Sequence, residues 1–264
     1  MTSINPHPIF FDAPTPILAG FGAVIGLVVG SFVTNTAIRS VRGESNLPGR
    51  SICDQCHVAL RWHEAVPVAS FLIQRGRCRT CKASISPIHL WGEIAGGAAF
   101  ASAPTLLPTV PALITAIMGS VLLALSLIDI KTLKLPNALV FCVLVCSALL
   151  SALRGEALTS LLWAAGVFIV LKALQAILQR RSGVKSLGEG DIKLLAALAM
   201  WLGPALVYAS SLACMGALLF IVLGKHKGRL PFGPFIALGG FIIGLFVESP
   251  ILQSLFADVW GGGL

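Results

Sequence analysis

The sequence predicts an all-α polytopic membrane protein of about eight transmembrane helices, with a small zinc-ribbon-like cytoplasmic domain in the loop between spans 1 and 2. Three observations lead there. Hydrophobic residues make up 56% of the 264-residue chain and charged residues only 11%, and mean hydropathy is +0.89, whereas a soluble domain is about a quarter charged. Apolar runs repeatedly approach the length of about 20 residues that a helical crossing needs. Lys and Arg gather between alternate pairs of these runs. A single soluble core is excluded.

The apolar segments lie near 16–38, 89–104, 110–129, 136–153, 158–178, 191–205, 206–224 and 232–248. Between the first two, Arg39 to Ser86 carries Arg39, Arg42, Arg50, Arg61, Arg75, Arg77, Arg79 and Lys82 against only Glu44, Asp54 and Glu64. Cytoplasmic loops are rich in Lys and Arg, so this stretch faces the cytoplasm. Alternation from there also puts Lys131 and Lys134, then Arg180, Arg181 and Lys185, then Lys225, Lys227 and Arg229 inside. Only Arg154 falls in an outer loop. Met1 to Pro16 holds no Lys or Arg and includes Asp12, so it lacks the positive start of a cleavable signal, and the first span is expected to stay. The segments on either side of Gly203-Pro204 are short and also readable as one kinked helix. Three regions result: residues 1–38 with the first span, residues 39–88 as the cytoplasmic loop domain, and residues 89–264 as the main transmembrane domain.

The net charge of +8 would suit nucleic acid, but no interleaved aromatic platform or reading helix accompanies it. Topological signalling and contact with anionic lipid headgroups account for the basic residues, and no nucleic-acid partner is expected. No sequence repeat is visible.

Four of the seven cysteines form two Cys-x-x-Cys pairs, Cys53/Cys56 and Cys78/Cys81, in the cytoplasmic loop. Each pair offers two thiolates on one tight turn, and two such turns clamp one tetrahedral zinc. A closed four-thiolate site leaves no open position for substrate, so the role is structural. His57 and His63, nearby in the loop, are candidate substitute ligands or solvated loop residues, and disulfides or free thiols are the alternative to zinc, the former disfavoured in a reducing cytoplasm. Cys142, Cys146 and Cys214, inside spans, read as small packing residues.

Ionisable residues at membrane depth are costly and mark functional cavities. Asp129 ends the third span, and Pro136 and Asn137 open the next. Asp191 follows Gly188-Glu189-Gly190 and begins the sixth. Both fall on the cytoplasmic side. Two carboxylates close together share one proton, and such a pair activates water against an amide. The alternatives are an N-cap role for Asp191, pairing of Asp129 with Lys131 or Lys134, and a proton-coupled transporter, whose internal repeat of interrupted helices is not visible. Glu93, opening the second span, is a third acid on the same side, or a charge complementing a helix dipole.

Several separated motifs together resemble the bifunctional prepilin peptidases, which are intramembrane aspartyl peptidases. They are Gly26-Leu27-Val28-Val29-Gly30-Ser31-Phe32, the two cysteine pairs, Arg75-Gly76-Arg77-Cys78-Arg79, Ile85-Ser86 before Glu93, and the Asp129 segment ending in Pro136-Asn137. Gly188-Glu189-Gly190-Asp191-Ile192-Lys193 and Pro231-Phe232-Gly233-Pro234-Phe235 complete the series. The chain departs from the pattern at Thr34 and at Asp54, where asparagine and proline are usual. The resemblance implies that residues 89–264 are an aspartyl peptidase domain in a bacterial inner membrane, with Asp129 and Asp191 catalytic. It implies prepilin or pseudopilin substrates whose basic leader stays cytoplasmic, and acids such as Glu44, Glu64 or Glu93 are candidates to receive that leader. It also implies N-methylation of the new terminus by S-adenosylmethionine, although no strand with a glycine-rich turn of the nucleotide-binding kind is present.

Overall fold

The computed structural model describes residues 15–43, 51–182, 188–224 and 230–253. Asp12, Glu44, Arg50, Lys185, Lys225, Lys227 and Arg229 lie outside the described residues. The helices in order are α1 (Thr15–Arg42), α2 (Ala69–Ile73), α3 (Pro87–Leu106), α4 (Thr109–Thr132), α5 (Asn137–Leu153), α6 (Ala157–Ser182), α7 (Glu189–Leu202), α8 (Leu206–Gly224) and α9 (Gly233–Glu248). Short 3-10 turns occur at Trp62–Glu64 and Gly203–Ala205. The only β pairing among the described residues is two isolated antiparallel bridges, Ile52 with Ala59 and Arg77 with Ser84. The architecture is all-helical, and the eight longer helices coincide with the eight apolar segments. By length and composition, Pro16–Arg42, Thr109–Thr132, Ala157–Arg181 and the combined run Glu189–Gly224 are sufficient to cross a membrane. Asn137–Leu153 and Gly233–Glu248 are apolar but shorter.

That combined run is two opposed legs rather than one kinked helix. Gly203 takes φ +53°, a left-handed angle open mainly to glycine, and Pro204 stands in the 3-10 turn that follows. Leu198 and Trp201 of α7 fill the spaces above Gly240 and Gly244 of α9, so these two helices run in the same direction. Ala209 and Gly216 of α8 meet Gly239 and Phe235 of α9, in descending order. The chain therefore reverses at Gly203–Ala205.

The main core joins α4, α5, α7, α8 and α9, with Leu125, Val143, Leu194, Leu198 and Trp201 fully buried. At one end of this core Trp201 is clasped. Its Nε1 donates to Glu248 at 2.9 Å, Arg154 donates to its carbonyl at 2.7 Å, and Arg154 pairs with Glu248 directly. Arg154, the lone basic residue that alternation leaves in an outer loop, neutralises a carboxylate whose side chain is only 6% exposed.

α1 and α3 pack antiparallel through glycines spaced four apart. A Cβ at Gly26 would strike the carbonyl of Gly96, one at Gly96 would strike the carbonyl of Gly26, and one at Gly30 would sit 2.5 Å from the carbonyl oxygen of Gly92. Lipid supplies no hydrophobic drive between helices, so close backbone approach through small residues takes its place.

Two stability outcomes follow. Gly96→Leu should force α1 and α3 apart and lower the thermal unfolding midpoint in detergent, since overpacking costs about 1–3 kcal/mol or more, whereas Gly20→Leu, with no neighbour within 4 Å, should leave it unchanged. Arg154→Met should destabilise by about 3–5 kcal/mol by stranding a buried carboxylate, and the double change with Glu248→Leu should recover most of the loss, both read from denaturation curves.

Candidate active site

α4 stops at Thr132 because Leu133 turns left-handed at φ +53°, its N–H closing on the Asp129 carbonyl at 2.8 Å. Pro136 then precedes the first residue of α5. Asp129 is thus held within a turn of the end of α4 and is 5% exposed. Its Oδ2 accepts the backbone N–H of Gly233, the first residue of α9, at 2.9 Å. A helix start has free N–H groups and a partial positive charge, so α9 is aimed at this carboxylate. A Cβ at position 233 would lie 2.8 Å from the same oxygen. Among the described residues Asp129 makes no ion pair with Lys131 or Lys134, both of which are exposed. Its partner is the helix start.

Asp191 is the third residue of α7, inside the first turn rather than at the N-cap, which is Gly188. Its carboxylate folds back over Gly188, where a Cβ would stand 2.6 Å from Oδ2. Gly190 leaves room for Leu135, whose Cβ would be 2.8 Å from a side chain there. Leu135 belongs to the connection that follows Asp129, so the two motifs pack directly on each other. Lys193 Nζ donates to Asn137 Oδ1 at 2.8 Å, closing the same contact from α7 to α5. Lys172 of α6 reaches Glu189 at 2.6 Å.

The loop between α1 and α3 gathers the four cysteines. Cys53 and Cys81 place their sulfurs 3.8 Å apart, Cys56 and Cys78 3.9 Å apart, and all four lie within 4.8 Å of one another. Sulfurs about 2.3 Å from a tetrahedral zinc are about 3.8 Å from each other, so the donor set fits that ion. The cysteines are free thiols, not disulfides. Each pair uses one backbone design: His57 and Lys82, at φ +54° and +59°, donate to the carbonyls of Cys53 and Cys78, both at 3.0 Å. His57 is thus a turn residue, and His63 stacks edge-on against Trp62; the cluster is four thiols. Backbone N–H groups of Cys81 and Thr80 hold the Cys78 thiol below its ordinary range, favouring the thiolate that a metal takes. Of the cysteines on the long helices, Cys146 packs on the core, while Cys142 and Cys214 are exposed on helix surfaces.

Glu64 and Glu93 lock this module in place. Glu64 is buried and accepts Arg61 N–H at 2.8 Å and Arg79 Nε at 2.5 Å, and these two partners hold its carboxyl below the usual range. Glu93 accepts Ser31 Oγ at 2.8 Å and Val68 N–H at 2.7 Å, tying the loop to α1 and α3. Glu93 stands seven residues into α3 and is not joined to the aspartate pair by any hydrogen bond among the described residues. Asp54 meets Arg42 with both oxygens, at 2.8 and 3.0 Å. The departure at position 54 therefore has a function of its own, anchoring the first knuckle to the end of α1.

In the sequence Gly233 belongs to the last-span motif, 104 residues from the acid whose Oδ2 it donates to. A glycine immediately before a proline at a helix start, in a chain holding an unpaired buried acid, was the available signal.

Two family models match the chain: a bacterial peptidase A24 N-terminal domain over residues 24–106 and a type IV leader peptidase family over residues 116–247. A Burkholderia pseudomallei protein named prepilin leader peptidase/N-methyltransferase is 32% identical, covering 95% of this chain and 92% of the relative. An Escherichia coli type 4 prepilin-like proteins leader peptide-processing enzyme is 30% identical over 93% and 97%. A Neisseria gonorrhoeae prepilin leader peptidase/N-methyltransferase is 31% identical over 87% and 91%. No solved structure is significantly similar. With both halves matched in order and relatives spanning nearly its whole length, the chain belongs to the type IV leader peptidase family.

Proposed function

We propose that this chain removes the leader from type IV prepilins or pseudopilins at the cytoplasmic face of a bacterial inner membrane, with Asp129 and Asp191 as its catalytic pair. The supporting observation is the packing of the Asp129 segment on the start of α7 through Leu135 and Gly190, with each carboxylate seated against a glycine where a Cβ would crowd it. One carboxylate, ionised, takes a proton from water as the oxygen attacks the scissile carbonyl. The other, protonated, donates to the carbonyl oxygen, and the proton gained by the base then passes to the leaving nitrogen. Gly233 N–H fixes the orientation of one acid.

Eight crossings with both termini outside are the topology we favour, since the reversal at Gly203–Ala205 keeps the basic clusters on one side. α7 has 14 residues, about 21 Å of helix, short of the roughly 30 Å hydrocarbon core. A short α7 brings Asp191 inward from the headgroups, the depth at which a substrate with a cytoplasmic leader and an apolar helix presents its junction. Lys172, Lys193 and Asn137 support the start of α7 around the acid.

Cys53, Cys56, Cys78 and Cys81 would hold one structural zinc, which supplies cross-linking of the two knuckles rather than chemistry. N-methylation with S-adenosylmethionine as donor is proposed from the printed names of the relatives alone. The described residues have no strand opening on a glycine-rich turn, and no residue is assigned to the donor.

Asp129→Asn and Asp191→Asn should each abolish leader release from a prepilin in membranes, with the loss at least about a thousandfold for a shared acid–base pair, while insertion and expression persist. Product mass separates cleavage from methylation. Full cleavage by either variant would refute the assignment. Purified protein should carry about one zinc per chain by elemental analysis, as a four-thiolate site demands. Cys78→Ser should lose it.

A further inference from the structure

The cysteine module carries a feature that neither the aspartate pair nor the four thiols use. Trp62 and Ile73 are the two most exposed large apolar side chains among the described residues, at 83% and 81%, above any on the long helices. Leu72, beside Ile73, is exposed as well. The 3-10 turn holding Trp62 packs on α2, the helix that ends in Ile73. Past α2 the backbone turns sharply, with Arg75 and Gly76 both left-handed at φ +51° and +65°.

This turn borders a concavity of about 580 Å³ lined by Ile73, Gln74, Arg75, Arg77, Arg79 and Lys82, with Cys78 of the thiol cluster at its wall. Glu64 pairs with Arg79. Arg75, Arg77 and Lys82 form no ion pair with any acid among the described residues. The amide oxygen of Gln74 is buried and has no hydrogen-bond partner among them. A sulfonium donor or a basic peptide would be repelled from such a site. A zinc tetrathiolate beside it would carry two negative charges and offset part of the positive field, yet that balance gives no reason for Trp62, Leu72 and Ile73 to stand bare.

Exposed apolar side chains next to unpaired cations are the chemistry of an interfacial membrane contact, apolar groups in the acyl boundary and cations on phosphate. The hydrogen bond from Val68 to Glu93 and the Arg42–Asp54 pair tether the module to α1 and α3, and so to the bilayer surface. We propose that this concavity binds the phosphate of an anionic, hydroxyl-bearing lipid headgroup, with Leu72 and Ile73 entering the acyl boundary beside it. The headgroup hydroxyl would donate to Gln74.

The test uses the full chain in nanodiscs of phosphatidylcholine alone, or of phosphatidylcholine mixed with phosphatidylglycerol. Modification of Arg75 and Arg77 by phenylglyoxal is followed by mass spectrometry. In the anionic discs it should slow by about fivefold, the effect of one basic contact at an anionic surface. Leu72→Ser with Ile73→Ser should remove most of that protection while zinc content stays constant. Equal rates in the two discs for the unaltered protein would overturn the proposal, and that comparison needs no variant to fold. Equal protection in phosphatidylcholine discs by millimolar inorganic phosphate would also overturn it, assigning the site to a free anion. Leader cleavage is not read in this experiment, so its outcome is independent of the catalytic assignment.

Discussion

Helices immersed in hydrocarbon have no hydrophobic reason to touch each other, and in this chain the contacts that matter are made by removing side chains. Gly26, Gly30, Gly92 and Gly96 let α1 and α3 meet backbone to backbone, and Gly240 and Gly244 let Leu198 and Trp201 sink into α9. The candidate site obeys the same constraint at smaller scale. Gly188 clears the Asp191 carboxylate, Gly190 admits Leu135, and Gly233 brings a donor to Asp129. Glycines that would weaken a soluble helix are here the surface on which the neighbours are seated.

Much of the helix plan was legible because long apolar runs report helices that avoid water directly, and the eight longer helices coincide with those runs. The division at Gly203-Pro204 was not, since a kink and a reversal share the same residues; only the opposite order of α7 and α8 contacts along α9 separates them. The aspartates were visible as costly charges, and their packing partners were not. Leu135 is ordinary in type and Gly233 is remote in sequence, and nothing in a linear pattern joins residue 233 to residue 129. Arg154 looked like an exception to the charge bias and is instead half of a buried pair with Glu248.

The cysteine module shows a different kind of hidden order. No repeat is readable in residues 39–88, yet the two knuckles share the same left-handed turn residue and the same returning hydrogen bonds. Backbone geometry repeats where side chains do not, because a pair of thiolates on one turn requires only a particular chain path. The side chains between them are then free to do other work: Glu64 joins one knuckle to Arg79 of the other, and Asp54 and Val68 join the module to α1 and α3.

α7 is secured at both ends by unrelated means. At its C-terminal end the carbonyl and indole of Trp201 are held by Arg154 and Glu248, and at its N-terminal end Gly190 and Lys193 are held by Leu135 and Asn137. A helix of 14 residues fixed at two ends cannot slide along its axis past the neighbours that hold it, so Asp191 keeps a fixed position relative to them. Asp129 is set by a third element, the start of α9, which runs parallel to α7 and shares the Trp201 clasp through Glu248. The two acids are therefore held between α7 and α9 on one side, while Leu127 and Ile128, just before Asp129, pack on Ala37 of α1 and Ile88 of α3, so α1 and α3 also bear on the position of Asp129.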